Sequence, residues 1–376
     1  MFVKELRLQN YRNYESLQVE FSPNINVFLG ENAQGKTNLL EAMYFLALTR
    51  SHRTSNDKDL IKWGSDFARI SGTVIKDNSS RLKLDLVISK SGKKAKLNNL
   101  EQRKLSTYIG NLNVVLFSPE DLSIVKGNPG IRRKFIDMEF GQMSPQYLKT
   151  MSQFKSVLKQ RNAYLKKLQH HQAKDLIYLD VLSDQFSAYC AEVIFSRLQF
   201  LKKLQTYIEK IHANITEDHE KLKISYSTFF NTEGKSLENI YDIFKDNFKK
   251  NYQKEIQRGV TLIGPHRDDI KFLVNGKNAQ DFGSQGQQRS VALSLKLAEV
   301  ELMKDQVGDY PILLLDDVLS ELDHKRQTHL LSSIKHGIQT FITTTSIDDV
   351  DPNLVKNPNI LNINNGKVQQ EERFNG

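Results

Sequence analysis

Two apolar patterns divide the chain. Short continuous runs, typical of strands buried on both faces, occupy its outer parts, and three/four-spaced stripes, typical of helices packed along one side, occupy its middle. Ile25-Asn-Val-Phe-Leu29 predicts a buried strand, and Lys36–Leu48 a helix directly after it. Further β-like runs are Ala68–Ile75, Leu82–Ile88, Val114–Phe117, Ile270–Val274, Ile312–Leu315 and Thr340–Thr343, and Ser89-Lys-Ser-Gly-Lys-Lys predicts a hairpin turn. In the middle, Leu148, Met151, Phe154, Leu158, Leu165 and Leu168 form one stripe. Leu179, Leu182, Phe186, Tyr189 and Val193, then Leu201, Leu204, Ile208 and Ile211, form another. A helix of about 35 residues at that spacing is on the order of 50 Å long. The expectation is an α/β head split by a helical arm of two long antiparallel helices, with limits at 1–130, 131–258 and 259–376.

Composition sharpens that division. Of 19 glycines only Gly141 and Gly234 fall within 131–258, and of 8 prolines only Pro145. The same segment holds 22 lysines and arginines against 15 acids, which places +7 of the chain's net +9 there. A basic surplus on a helical insertion favours a polyanionic partner, although dispersed lysines more often only solvate a surface. The N-terminal residues mix charge into every turn, unlike a signal peptide, and no run approaches the roughly 20 apolar residues of a membrane span. The single cysteine, Cys190, sits among apolar residues as buried filler. These features point to a reducing, cytoplasmic setting with no membrane partner.

The sharpest chemistry is Gly30-Glu31-Asn32-Ala33-Gln34-Gly35-Lys36-Thr37, a complete GxxxxGK[ST] phosphate loop between predicted strand and helix. Its glycines let successive N–H groups and a helix N-terminus face a phosphate. Lys36 would reach the β/γ-phosphates of ATP, and the Thr37 hydroxyl would sit on Mg²⁺. Downstream, Tyr310-Pro-Ile-Leu-Leu-Leu-Asp316-Asp317 is an apolar strand ending in acid, which would deliver Asp316 to the same metal.

Between the two, Ser284-Gln285-Gly286-Gln287 opens a helix whose apolar face carries Val291, Leu295, Ala298 and Leu302. This element resembles the signature motif of ABC-type ATPases. That resemblance implies ATP sandwiched between two copies, with Ser284–Gln287 meeting the nucleotide of the opposite protomer. The roughly 280 residues from Lys36 to Asp316 exceed the spacing of transporter nucleotide-binding subunits and resemble SMC-type ATPase heads, with a short lobe in place of a long coiled coil.

From end to end the chain is similar to the bacterial RecF recombination-repair family. The resemblance is carried by Leu8-Gln-Asn-Tyr-Arg-Asn-Tyr14, the phosphate loop, Thr49-Arg-Ser-His-Arg53 and Phe117-Ser-Pro-Glu-Asp-Leu122. It continues through Gly127–Asp137, Gly264-Pro-His-Arg-Asp-Asp269, Ser284–Arg289 and Leu313–Asp323. It implies ATP-dependent dimerisation on gapped or single-strand/duplex junction DNA, cooperation with the RecO and RecR mediators, recombinase loading and a part in the SOS response. The glutamate that usually follows the Walker B aspartate, Asp316, is Asp317 here, one methylene shorter, which implies slow hydrolysis, and the family resemblance implies that DNA stimulates it. The usual Q-loop glutamine is replaced near Ser118, and the switch histidine by threonine at Thr343–Thr345.

Candidate DNA contacts are Arg50 and Arg53 on the head, with Lys155, Lys159, Arg161, Lys166, Lys167, Lys202 and Lys203 on the arm. Arg12 and Asn13, in a hairpin before the phosphate loop, could touch nucleotide or simply cap a surface turn. His170 and His171 lack metal-ligand spacing, so zinc is not expected. The competing functions are a transporter ATP-binding subunit and a scaffold in which ATP is structural.

Overall fold

The computed structural model describes residues 1–334, 337–347, 355 and 357–370, apart from the side chains of residues 321, 333 and 370. The chain forms two compact units: Met1–Leu122 with Ile211–His219 and Arg289–Gly376, and Ser123–Lys210 with Glu220–Gln288. These limits differ from the 131–258 insertion expected from composition. Residues 259–288 supply β-structure to the second unit, and glycine content does not reveal which unit a strand joins.

In the first unit a six-stranded sheet has the order Lys367–Gln370, Asn359–Asn364, Ile25–Leu29, Thr340–Thr344, Ile312–Asp316, Val114–Phe117. All neighbours are parallel except the first pair. Strands covered on both faces read as unbroken apolar runs, and Ile312–Asp316 and Thr340–Thr344 are buried at every position. In a parallel sheet the carboxyl ends share one edge, where ligands of such folds bind. The phosphate loop and Asp316 therefore emerge together, with Thr340–Thr344 between their strands.

A second, antiparallel sheet runs Tyr14–Glu20, Phe2–Tyr11, Phe67–Ile75, Arg81–Ser89, Gly92–Leu97, Leu100–Glu101. Its Ser89/Gly92 turn is the hairpin read from the sequence. The helix Lys36–Leu48 is buried over most of its length, from Leu39 to Leu48 without interruption.

The second unit has a core of its own. Helices Pro145–Gln169 and Leu176–Ile215 carry the two stripes, with Met151, Phe154, Leu165, Leu179, Leu182, Phe186, Val193 and Leu204 all buried. To these the fold adds helices Pro129–Met143 and Leu237–Arg258 and a three-stranded sheet of Leu222–Ser227, Asp269–Val274 and Lys277–Asn278. The expected two-helix arm is therefore a packed α+β lobe.

Two arginines are sealed inside this lobe. Arg197 donates to Asp137 Oδ1 (2.8 Å), Pro265 O (2.9 Å) and the hydroxyls of Tyr147 (3.1 Å) and Tyr226 (3.2 Å). Arg161, expected on the DNA-binding surface, is fully buried. It donates to Glu255 Oε2 (2.6 Å), Thr261 Oγ1 (2.8 Å) and Ser183 Oγ (3.0 Å), with its guanidinium 4.4 Å from the Phe248 ring centre. Helix Leu237–Arg258 brings Glu255 to it, a contact invisible in the spacing of the Arg161 stripe. Removing one partner of such a pair leaves an uncompensated buried charge, at a cost of about 3–5 kcal/mol. Arg161→Leu is expected to lower stability by about that amount in urea unfolding, and an unchanged midpoint would refute the role.

Candidate nucleotide site

Specific constraints place both ends of the phosphate loop. Gly30 faces Ile363 of the neighbouring strand so closely that a Cβ would lie 2.4 Å from its carbonyl oxygen. Gly35 has φ of +119°, and a Cβ there would come within 2.7 Å of Asn13 Nδ2. Only glycine meets both demands.

Tyr14 donates its hydroxyl proton to Gly35 O (3.0 Å), and Asn13 Nδ2 donates to Gln34 O (3.2 Å). The turn between the two C-terminal strands adds Gly366 N to Gln34 O (3.1 Å) and Asn365 N to Gln34 Oε1 (2.7 Å). Glu31, Asn32 and Ala33 are exposed.

Lys36 is buried, its ammonium donating to the carbonyls of Gly30 and Glu31. Burial holds it below the usual lysine value, against the pull of Asp317 and Asp316. Thr37 Oγ1 donates to Asp316 Oδ1 at 3.0 Å across 279 residues of sequence. Burial raises the Asp316 carboxyl, while the hydroxyls of Thr343 and Thr37 oppose that rise.

A divalent cation with hard-oxygen preference needs such a set: a hydroxyl and a carboxylate beside a phosphate loop. Both hydroxyl bonds fall on Oδ1, so Asp316 Oδ2 accepts from no protein donor among the described residues. Thr37 and Asp316 therefore fit Mg²⁺, which would neutralise phosphate charge there.

Asp317 is exposed, with φ of +51°. Ser320 Oγ lies 2.9 Å from its carbonyl oxygen and 3.2 Å from Oδ1. Ser118, at the position of the usual Q-loop glutamine, directly follows the strand Val114–Phe117. It caps the turn Pro119–Asp121, its N–H donating to Asp121 Oδ2 at 2.9 Å, and burial pushes the Asp121 carboxyl up to about 6.

Arg12 turns toward the loop's helix. Its Nε and Nη2 donate to Glu41 Oε2 and Oε1, each at 2.9 Å, and Nη1 donates to Asp59 O (3.0 Å). Ser51 adds a 2.5 Å bond to Glu41 Oε1, and Arg53 Nη1 donates to Asn38 Oδ1 (2.8 Å). Burial would raise the Glu41 carboxyl, but the bonds from Arg12 and Ser51 outweigh it and hold the group below the usual carboxylate range. Glu41 was not foreseen. An acid in the otherwise apolar face of Lys36–Leu48 is the signal that could have found it.

The signature residues lie in the second unit. Ser284 and Gln287 close a reciprocal cap on the helix Gln285–Val307: Gln287 N donates to Ser284 Oγ (3.2 Å) and Ser284 N to Gln287 Oε1 (2.9 Å). Gln287 Nε2 also donates to Glu220 Oε1 (2.9 Å), while Ser284 and Gln285 are exposed. His266, in Gly264–Asp269, packs against Phe154 and Phe186, and burial lowers its imidazole to about 4, so the ring is neutral near neutral pH. Cys190 is buried, and burial raises its thiol well above the ordinary value. Among the described residues no helix is long and apolar enough to cross a membrane.

The family model for the RecF/RecN/SMC N-terminal domain matches residues 2–352. The DNA replication and repair protein RecF of Latilactobacillus sakei is 57% identical over 374 residues, spanning 99% of this chain and all of the relative. The chain belongs to the RecF family. The RecF protein of Staphylococcus aureus (strain USA300) is 52% identical, over 98% of this chain and all of that one. A solved structure of the recombination mediator RecF with ATP matches at TM-score 0.92 and 33% identity, covering 99% of this chain and 98% of that chain. The SMC head domain of Pyrococcus furiosus, at 14% identity and TM-score 0.55, shares the fold. The ABC-type ATPase head of the SMC kind, expected from the motif order, is the fold of the RecF family.

Proposed function

We propose that this chain is an ATP-dependent DNA-binding protein of recombinational repair and replication restart. The observation that carries the proposal is the Thr37–Asp316 pair at 3.0 Å, completing a phosphate-loop site in a chain that matches DNA replication and repair proteins over its whole length. ATP binds with Mg²⁺ at Gly30–Thr37 and Asp316. Ser284–Gln287 of a second copy close the site, and the exposure of Ser284 and Gln285 leaves them available to do so. The dimer is the DNA-binding state, and slow hydrolysis, stimulated by DNA and directed by Asp317, releases it.

The DNA is gapped or a single-strand/duplex junction. The protein acts in the cytoplasm at the nucleoid with RecO and RecR, promoting recombinase loading and the SOS response. Phosphate contacts come from Lys155, Lys159, Lys166, Lys167, Lys202 and Lys203, all exposed on the lobe's two long helices, with Arg50 and Arg53 on the first unit. Arg53 also donates to Asn38 Oδ1.

Two measurements test the proposal. Light scattering should show a dimer with ATP and a monomer with ADP or no nucleotide. Affinity for gapped DNA should fall linearly on a log–log plot against salt, with a slope of about −0.7 to −0.9 per phosphate neutralised. A flat salt response, or an oligomeric state indifferent to ATP, would overturn it.

A further inference from the structure

The strand Thr340–Thr344 lies between the phosphate-loop strand and the Asp316 strand, with Thr343 paired in register with Asp316 on one side and Phe28 on the other. Thr343 is 2% exposed. Its Oγ1 stands 3.0 Å from Asp316 Oδ1 and 2.9 Å from the backbone N of Asp317. A hydroxyl has one proton and two lone pairs. The amide of Asp317 can only donate, so it takes a lone pair, and the proton goes to the carboxylate. The other acceptor, Leu315 O, is farther away at 3.4 Å. One buried hydroxyl thus engages both aspartates at once.

The Asp317 bond matters because its backbone is in the left-handed region, which few non-glycine residues enter without support. The Asp316 bond matters because the same Oδ1 also accepts from Thr37. Donors that orient a ligating carboxylate commonly govern metal affinity or activity by about 10- to 100-fold.

We infer that Thr343 is a positioning residue for nucleotide hydrolysis: its hydroxyl aims the Asp316 carboxylate at the metal position beside Thr37 and fixes the backbone from which Asp317 acts. A hydroxyl committed in this way orients the aspartates, in place of the direct γ-phosphate contact of a switch residue. The inference rests on the roles given above to Asp316 and Asp317.

The test compares Thr343→Val, which keeps the shape and loses the hydroxyl, with Thr343→Ser, which keeps the hydroxyl, and with Asp317→Asn. Three quantities are measured: ATP affinity in EDTA, Mn²⁺ affinity of the ATP complex by electron paramagnetic resonance, and turnover. Thr343→Val is expected to bind ATP in EDTA as the wild type does. Its Mn²⁺ affinity and turnover should each fall about 10- to 100-fold, and Thr343→Ser should restore both.

Wild-type Mn²⁺ affinity in Thr343→Val, or a Thr343→Ser as impaired as Thr343→Val, would overturn the inference. Should the valine variant not fold, Thr343→Ala is read against Thr343→Ser by the same criteria. The two levels of failure separate. If Asp317→Asn turns over normally, the hydrolytic role of Asp317 falls. If it is inactive while Thr343→Val behaves as wild type, only the role of Thr343 falls.

Discussion

Replacing Asp317 by asparagine is expected to slow ATP hydrolysis by about 10²- to 10⁴-fold, the contribution typical of a positioned base, while ATP still binds. The substitution isolates the charge. Asparagine has nearly the same shape and enters the left-handed region about as readily as aspartate, so the φ of +51° at this position is no obstacle. The Ser320 hydroxyl keeps its carbonyl acceptor at 2.9 Å. Thr343 contacts only the backbone N–H of residue 317, which the substitution leaves in place. The variant should lose the base without losing the site, and the ATP-bound dimer should accumulate. Single-turnover hydrolysis with gapped DNA, read beside light scattering, checks both halves, and unchanged hydrolysis would remove Asp317 from the mechanism. Because aspartate is one methylene shorter than the usual glutamate, the wild type itself should turn over slowly.

The second large effect is on binding. Lys36→Ala is expected to weaken ATP by about 10- to 150-fold, from the roughly 1.5–3 kcal/mol carried by a hydrogen bond to a charged group. Lys36 is nearly enclosed at 8% exposure, with its ammonium held by the carbonyls of Gly30 and Glu31. The loop thus keeps a cation in its centre against the desolvation that lowers the group's pKa. Arginine should not rescue the loss, because a planar fork cannot replace a compact ammonium inside a loop of this curvature. Isothermal titration with ATP, supported by the ATP-induced shift in melting temperature, measures the effect. Wild-type affinity in Lys36→Ala would mean that nucleotide binds elsewhere.

The elements most legible in the sequence were those whose signal is local. Ile25–Leu29 and Ile312–Asp316 are covered over most of their length, so their apolar runs carry no competing pattern; Thr340–Thr344 shows as a β-branched run, and Val291, Leu295, Ala298 and Leu302 mark the buried face of Gln285–Val307. Less legible were elements whose reason for folding lies elsewhere in the chain. Leu237–Arg258 is mostly polar, and Ile240, Phe244 and Phe248 are buried only because the lobe supplies a surface for them. The strand Leu222–Ser227 is one exposed or half-buried position after another beyond Leu222. Arg161 shows the same limit from the other side. By type it belongs on a surface, and Glu255, 94 residues away, takes it inside.

The phosphate-loop pattern, the Asp316-Asp317 pair, the Ser284–Gln287 element and a basic middle segment poor in glycine and proline can all be read from the chain alone. Each is a short pattern whose chemistry depends on neighbours along the chain. The tertiary structure decided how far the second unit extends and which of its cations are buried. It also decided that Glu41 ties Arg12 and Ser51 to the phosphate-loop helix, and that Thr343 serves both aspartates. The physical reason is the parallel sheet: strand order, which no local pattern encodes, sets Thr340–Thr344 between the loop and Asp316 and brings residues 279 apart to within 3.0 Å.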